Sequence, residues 1–151
     1  MDNIIYLNAL EGDFEYDRTL DFKKAMQQNE ISLGVGATLL LSDKKNIVGM
    51  LLSMGLNYKD GNVLKYSVIL TFHVDGWSDN VNFDDKESFK EMDVVGRMLD
   101  VTVGFLRGSM YVHTKNSPLE GLTLPILSLK ELQKKMKAEK PVSYSHSLNN
   151  Q

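Results

Sequence analysis

Apolar and polar residues alternate with a period of two over three consecutive runs between residues 31 and 77. This alternation is typical of strands that have one apolar face and one mixed face. The apolar positions of the three runs are Leu33, Val35, Ala37, Leu39 and Leu41; Val48, Met50, Leu52, Met54, Leu56 and Tyr58; and Leu64, Tyr66, Val68, Leu70, Phe72 and Val74. A shorter apolar run at residues 3–10 predicts a further strand at the start of the chain.

The alternation also predicts the register of two hairpins, because residues paired across an antiparallel ladder share a face. A turn around Lys44-Lys45 leaves only apolar pairs on one face: Leu41 with Val48, Leu39 with Met50, Ala37 with Leu52 and Val35 with Met54. In the second hairpin, a two-residue turn at Asp60-Gly61 would pair Leu56 with Lys65. A three-residue loop at 59–61 instead gives the pairs Leu56 with Leu64, Met54 with Tyr66 and Leu52 with Val68. We therefore expect that loop, with Gly61 in the left-handed conformation of a turn that includes a bulge.

After Trp77 the apolar period changes from two to alternating steps of three and four. The repeat predicts a long helix at about 86–114, capped by Asp84 or Asp85, with a broad apolar face that covers the sheet or a second helix. Its main positions are Phe89, Met92, Gly96, Leu99, Val103, Leu106 and Met110. The glycines predict close helix packing, and a kink or break near Gly104–Gly108 is an alternative.

Shorter elements are predicted at both ends of the chain. Residues 19–28 suit a short helix capped by Asp17 or Thr19. Asn116, Pro118, Gly121 and Pro125 indicate an irregular connection. The capping-box pattern Ser128-Leu-Lys-Glu131 opens a second helix to about residue 139. We expect one domain over residues 1–140 and a polar flexible tail over 141–151.

Composition and charge narrow the class of protein. The chain has 151 residues and no cysteine, which excludes disulfides, thiolate metal sites and cysteine nucleophiles. The net charge of −3 argues against nucleic-acid binding, and the basic cluster at 130–140 is interpreted as a solvated helix face. No signal peptide and no membrane-spanning run is found, so we expect a cytoplasmic protein without membrane insertion.

The sequence carries no catalytic motif that we recognise, and we expect neither enzyme activity nor a cofactor or metal. His73, His113 and His146 are scattered without metal-ligand spacing. Ser109 and His113 lie four residues apart on the predicted helix, but no third orienting group is apparent, and we interpret the pair as chance. Asp84-Asp85 is explained more simply by helix capping than by acid–base chemistry.

Three stretches resemble the SecB-type export chaperones. The first is Val101–Val112, in which Arg107-Gly108 gives a glycine just after a basic residue near the end of the long helix. The second is Leu122–Leu132, which combines the Leu124-Pro125 connection with a capped helix whose leucines, Leu129 and Leu132, are three apart. The third is the opening, Ile4-Ile-Tyr-Leu followed by Phe14-Glu15. The chain differs from the family at residues 17–30, which are more charged, and in its tail, which lacks a glutamine-rich helical ending.

The resemblance implies an α+β fold, in which a four-stranded antiparallel sheet is packed on one side by a long helix and a short C-terminal helix. It also implies a homodimer or homotetramer. The implied clients are unfolded or extended polypeptides, held for the export machinery or supplied as one dedicated client such as an antitoxin.

Three hypotheses follow for the function. The first is a chaperone that binds extended polypeptides, and the second is a non-enzymatic structural or adaptor protein that binds one folded partner. The third is an enzyme with an unrecognised site, which a folded pocket with several titratable groups would favour. An apolar groove is expected either at the helix–sheet margin or on the mixed strand face with Leu40, Ile47, Leu51 and Ile69. The candidate client contacts are Met50, Met54, Tyr58, Tyr66, Phe72 and Trp77.

Overall fold

A computed structural model describes residues 3–122 and 124–140, so the predicted tail at 141–151 lies outside the described residues. The strands are β1 (Ile4–Glu11), β2 (Glu15–Tyr16), β3 (Ile31–Leu41), β4 (Ile47–Tyr58), β5 (Gly61–Val74) and β6 (Lys137–Glu139). The helices are α1 (Phe22–Gln27), α2 (Trp77–Asn80), α3 (Asp93–Thr114) and α4 (Leu129–Lys134), and a 3₁₀ helix covers Lys86–Glu91. The fold is α+β, as predicted.

The described strands form one mixed sheet of six strands in the order β1-β5-β4-β3-β6, with β2 paired to β5. Four long strands are antiparallel as expected, but the four-stranded sheet is extended by two short strands. The added strand β6 runs parallel to β3 and covers only Thr38–Leu40. It was not predicted, because three residues in an extended conformation leave no periodic signal. The helix predicted from the capping box at Ser128 extended over the same residues.

The first hairpin has the predicted register, with Leu41 opposite Val48 and Val35 opposite Met54. The second hairpin has the predicted pairs, including Leu56 with Leu64 and Met54 with Tyr66, but its turn was predicted wrongly. Tyr58 pairs with Gly61, so the turn contains two residues, and both of them, Lys59 and Asp60, have positive φ angles of 47° and 64°. The register shifts beyond Leu56 because β5 accommodates its extra residue as a bulge near Val63.

The predicted long helix is divided into two helical parts. The 3₁₀ helix ends at Glu91, and Met92 adopts an extended backbone (ψ 127°) before α3 begins. No side chain caps the 3₁₀ helix: neither Asp84 nor Asp85 serves as the predicted side-chain cap. The break therefore lies at Met92, and α3 continues through Gly104 and Gly108 to Thr114.

Side-chain caps mark the starts of the two short helices α1 and α4. The side chain of Asp21, and not that of Asp17 or Thr19, accepts a hydrogen bond from the backbone of Lys24 and caps α1. The Ser128 hydroxyl accepts a hydrogen bond from the N–H of Glu131, so the predicted cap of α4 is present. However, α4 ends at Lys134 instead of continuing to about residue 139, because the chain then enters β6.

The main core lies between the sheet and α3. Alternate residues of β3, β4 and β5 are buried on this face with the apolar side of α3, and Trp77 stacks on Phe89 at a centroid distance of 5.6 Å. A second buried cluster, Leu40, Leu51 and Ile69, consists of residues on the mixed strand face. Gln133 of α4 donates hydrogen bonds to the carbonyls of Phe89 and Met92, at 3.0 and 2.9 Å. These bonds hold α4 against the break between the 3₁₀ helix and α3. Gly96 permits this approach, since a Cβ there would lie 3.0 Å from Oε1 of Gln133.

The two-residue turn and the three-residue loop differ in what they require of Gly61, because only the loop needs a positive φ angle at this residue. Gly61 does not have a positive φ angle, and an added Cβ would meet only the Tyr58 carbonyl at 3.5 Å. Gly61→Ala is therefore expected to change the free energy of unfolding by less than about 0.5 kcal/mol. Gly121, at φ 93° with open space around it, is the matched control, and Gly121→Ala should cost about 1 kcal/mol from backbone strain alone. Denaturant unfolding measures both; an equal loss in both variants would contradict the two-residue turn.

Candidate binding groove

Two adjoining apolar cavities lie at the margin between the sheet and the helices. The first has a volume of about 180 Å³ and is lined by Met26, Asn29, Ile31, Leu33, Met54, Leu56, Met110, Leu122, Leu124 and Pro125. The second has a volume of about 310 Å³ and is lined by Leu33, Val35, Pro125, Leu127, Ser128, Glu131, Leu132 and Lys135. Leu33 and Pro125 line both cavities, and we refer to the two together as the groove. It lies at the helix–sheet margin, which is one of the two places that the sequence analysis proposed.

One wall of the groove is β3, where the alternation of the strand directs the side chains of Ile31, Leu33 and Val35 to the face that packs against the core. These three side chains are only partly buried, whereas Leu39 and Leu41 farther along the same strand are buried. The apolar row of β3 is thus covered at one end and reachable at the other.

The opposite wall includes the irregular segment at residues 124–128, which Arg107 of α3 holds in place. The guanidinium donates one hydrogen bond to the carbonyl of Leu124 at 2.5 Å and another to that of Pro125 at 2.9 Å. A guanidinium suits this role because its N–H donors are arranged in a fixed, planar fork. Arg107 therefore fixes the position of the wall without contributing an apolar side chain to it.

The segment also displays an apolar side chain to solvent. Ile126 is 97% exposed, and it lies between Pro125 and Leu127, which both line the groove. Isolated exposed aliphatic residues are common on protein surfaces, but one at the edge of an apolar cavity extends the surface that a ligand can cover. The ionic side chains at the margin, Glu131 and Lys135, are confined to the larger cavity.

The six predicted contact residues are placed differently from one another. Met54 lines the groove, although it is only 4% exposed. Tyr58 is half-buried at the end of β4, where the ammonium of Lys59 lies over its ring at 5.1 Å. The other four are buried in the core: Met50, Tyr66, Phe72 and Trp77. Those four residues do not line the groove, and contact with a client stays a prediction for all six.

A polar cluster joins the start of the chain to the last turns of α3. The Tyr66 hydroxyl donates a hydrogen bond to Oε1 of Glu11, and Nε2 of His113 lies 3.0 Å from the same oxygen. The ring of Phe14 stacks on the His113 imidazole at 5.0 Å and 6°. These contacts lower the pKa of Glu11, with the Tyr66 hydrogen bond as the largest cause. Burial, followed by the hydrogen bond to Glu11, raises the pKa of Tyr66.

This cluster supplies the orienting group that the sequence analysis did not find for Ser109 and His113, but in a different arrangement. The imidazole Nε2 is directed to Glu11, and the Ser109 side chain bonds to Tyr66. A serine nucleophile needs a base at its own hydroxyl, whereas this arrangement connects the histidine to a carboxylate and the serine to a phenol. The geometry therefore favours a structural role, in which these contacts hold the end of β1 against α3.

Within residues 3–122 and 124–140, no group of three or more His, Asp or Glu side chains is arranged to hold a metal ion. No helix in these ranges is long and apolar enough to cross a bilayer.

Most residues of the groove were not identified from the sequence. Ile31, Leu33 and Val35 were assigned to a buried face, and the stretch at 122–127 was interpreted as a connection between helices. The available signal was its composition, because Leu122, Leu124, Ile126 and Leu127 are aliphatic residues in a segment with turn formers and no helical or strand period. An apolar loop needs a surface to cover or a partner to bind.

Comparison with solved structures finds several similar chains, among them the following two. A protein of unknown function from Streptococcus agalactiae has a TM-score of 0.50 and 15% sequence identity, and the match covers 82% of this chain and 98% of that one. A SecB-like chaperone from Mycobacterium tuberculosis, in complex with a peptide from an antitoxin, has a TM-score of 0.41 and 15% identity, with coverage of 83% and 85%. The resemblance seen in the sequence predicted a likeness of this second kind. At 15% identity, the match to the Streptococcus protein shows a shared fold alone. No protein-family model and no curated protein matches the sequence.

The polar cluster predicts how stability depends on pH. The pKa of Glu11 is lower in the folded protein than the ordinary value of 4.5, so its contribution is fully present above pH 4.5 and is lost as the pH falls through the lowered pKa. Glu11→Gln should reduce the free energy of unfolding by about 1 kcal/mol at pH 7, a modest loss because the carboxylate is partly solvated. Urea unfolding between pH 7 and pH 3 measures the difference from the parent protein, and that difference should shrink below pH 4.5.

Glu15→Gln is the matched control. It removes a carboxylate of the same strand region, whose side chain has no described contact with Tyr66 or His113. A loss in this variant as large as that of Glu11→Gln, or a difference for Glu11→Gln that persists unchanged to pH 3, would contradict the role of the cluster.

Proposed function

We propose that the protein is a cytoplasmic chaperone-type protein that binds unfolded or extended polypeptides in the groove and keeps them soluble. The observation that carries the proposal is the apolar lining of two adjoining cavities beside a segment that exposes Ile126. The clients are chains awaiting export or a single dedicated client such as an antitoxin. No catalytic step is part of this function.

The chemistry of the lining suits clients of varied sequence. Aliphatic side chains and the thioethers of Met26, Met54 and Met110 provide apolar contacts without fixed hydrogen-bond directions. Methionine adapts its shape to different ligands and is frequent at surfaces that bind many partners. A lining of this kind stabilises bound apolar segments through burial, and it imposes little sequence preference.

A function as an adaptor for one folded partner is the alternative. It would favour a surface with more fixed polar contacts, such as the margin formed by Glu131 and Lys135. The range of clients separates the two functions, because a dedicated adaptor should not bind unrelated unfolded proteins.

We also propose that the protein is a homodimer or homotetramer, assembled through the outer side of α3. Val101, Tyr111 and Val112 are 50%, 68% and 70% exposed on this helix. Gly104 and Gly108 lie on the same helix, and an added Cβ would meet no atom within 4 Å at either glycine. An apolar surface with glycines permits the close approach of a second copy of the helix.

Ile126 provides the first test of client binding. Ile126→Ser removes an exposed aliphatic side chain and should weaken the binding of an unfolded client about five- to thirtyfold, since burying such a side chain contributes about 1–2 kcal/mol. The measurement is the amount of protein that halves the aggregation of several unrelated, chemically denatured proteins. Fluorescence anisotropy with a labelled unfolded client provides the dissociation constant.

Leu10→Ser is the matched control, because Leu10 is also exposed and aliphatic but lies on β1, outside the groove. Its client affinity should stay within about twofold of that of the parent protein. Equal effects of the two substitutions, or no effect of the purified protein on the aggregation of any client, would exclude the proposed function.

The proposed assembly is tested separately. Val101→Glu places a charge on the exposed side of α3 and should shift the molar mass toward that of a monomer, because an interface does not tolerate an unpaired buried charge. Light scattering coupled to gel filtration measures this mass. Ile126→Glu is the control and should leave the mass unchanged. A parent protein that is monomeric at all concentrations would refute the proposed assembly.

A further inference from the structure

The edge of β3 beside the groove lacks a partner strand among the described residues. β3 pairs with β4 from Ile31 to Leu41, but on its other side it pairs with β6 only from Thr38 to Leu40. Along residues 31–36, alternate N–H and C=O groups therefore point away from β4 toward a side on which no described strand lies. We refer to residues 31–36 as the open edge.

The residues of the open edge include no charge, no proline and no bulge, which are features that protect many exposed edges. Such edges are usually short, bulged, or supplied with charged residues or proline. Residues 31–36 read Ile-Ser-Leu-Gly-Val-Gly, with no charge and no proline, and their register with β4 is continuous. At the other side of the sheet, β1 has an irregularity between Tyr6 and Asn8 and ends at the charged Glu11. The two edges are thus built differently, and only β3 presents a regular, uncharged ladder.

The groove lies next to this edge. Ile31, Leu33 and Val35 supply lining from β3 itself. Further lining comes from β4 and α3, from Met26 of α1, from the segment at 124–128 and from α4. On the opposite face, Gly34 has no atom within 4 Å of an added Cβ, and Gly36 has only Oγ of Ser53 at 3.7 Å. An occupant of the edge would meet apolar cavities on one face and open space on the other.

From this geometry we infer that the polypeptide bound in the groove adds to β3 as an extra strand along residues 31–36. The bound segment is extended, with apolar side chains at every second position, because successive side chains of a strand point to opposite faces. Those side chains enter the two cavities, and the main chain bonds to the open edge. This inference rests on the proposed function and specifies how the client is recognised.

The chain itself provides a precedent for this mode of pairing. β6 already adds to the same strand over Thr38–Leu40. A segment on residues 31–36 would continue the line that β6 occupies, and it would end where Lys137 begins to pair with Thr38. The recognised segment is therefore short, about six residues, and the main-chain bonds explain how clients of different sequence share one site.

N-methylation of a peptide tests the main-chain bonds. The probe is a synthetic heptapeptide in which leucine or valine alternates with serine, and its dissociation constant is measured by calorimetry. Two further versions carry N-methyl groups on alternate amides, in two sets that are shifted by one residue. In an added strand only one set points to β3, so that set should weaken binding about tenfold or more, while the shifted set should change it by about twofold or less.

The outcomes separate this inference from the proposed function. Strong binding of the heptapeptide, lost in Ile126→Ser but equally insensitive to both methylated sets, would overturn strand addition and leave the groove as the client site. Failure of the heptapeptide to bind, with unfolded proteins still held, would also overturn strand addition. If the heptapeptide dissociates the oligomer, the edge pairs with a second copy of the chain and the inference is wrong. Protection of the amides of residues 31–36 from hydrogen exchange on peptide binding is the expected supporting result.

Discussion

The packing of α3 on one face of β4 and β5 is the constraint on which the rest of the structure depends. The side-chain period of a strand is two, so a slip of one residue between β4 and β5 would put Met54 and Tyr66 on opposite faces of the sheet. The bulge near Val63 keeps the faces aligned although the turn that precedes it contains only two residues. Because α3 is positioned by this face, Met110 reaches one cavity and Arg107 reaches the segment that forms the wall of the groove.

Helices and strands with a long, regular apolar period could be predicted from the sequence. Local features of one or two residues, such as a turn, a bulge or a helix break, could not. The pairs Leu41–Val48 and Leu56–Leu64 follow from the rule that paired residues share a face, and the structure has both. A three-residue loop without a bulge and a two-residue turn with a bulge give the same residue pairs farther along the strands. The alternation of apolar residues therefore could not distinguish the two turns. The break at Met92 is equally invisible, because Phe89, Met92 and Leu99 keep a helical spacing across it.

The candidate site was less accessible to prediction than the fold. Leu33, Met110 and Leu124 belong to a strand, a helix and a loop, and only the tertiary packing brings them to one cavity. The sequence analysis favoured large residues in the strongest patterns, and for Met50, Phe72 and Trp77 a strong pattern meant burial in the core. In this protein the residues at the groove lie where a pattern ends: Ile31 is at the start of β3, and Ile126, beside the groove, is in an aperiodic loop.

The way in which Arg107 holds the wall of the groove has a consequence for how this protein can diverge. Both hydrogen bonds end on main-chain carbonyl oxygens, which every amino acid possesses. The hydrogen bonds of Arg107 therefore do not depend on the side chains of the segment. Substitutions in the segment can alter the size and chemistry of the lining without releasing the segment from α3. The chemistry of the groove and the architecture are separate traits in such a scaffold, so related proteins can differ in the lining of the groove through a few changes in a single loop.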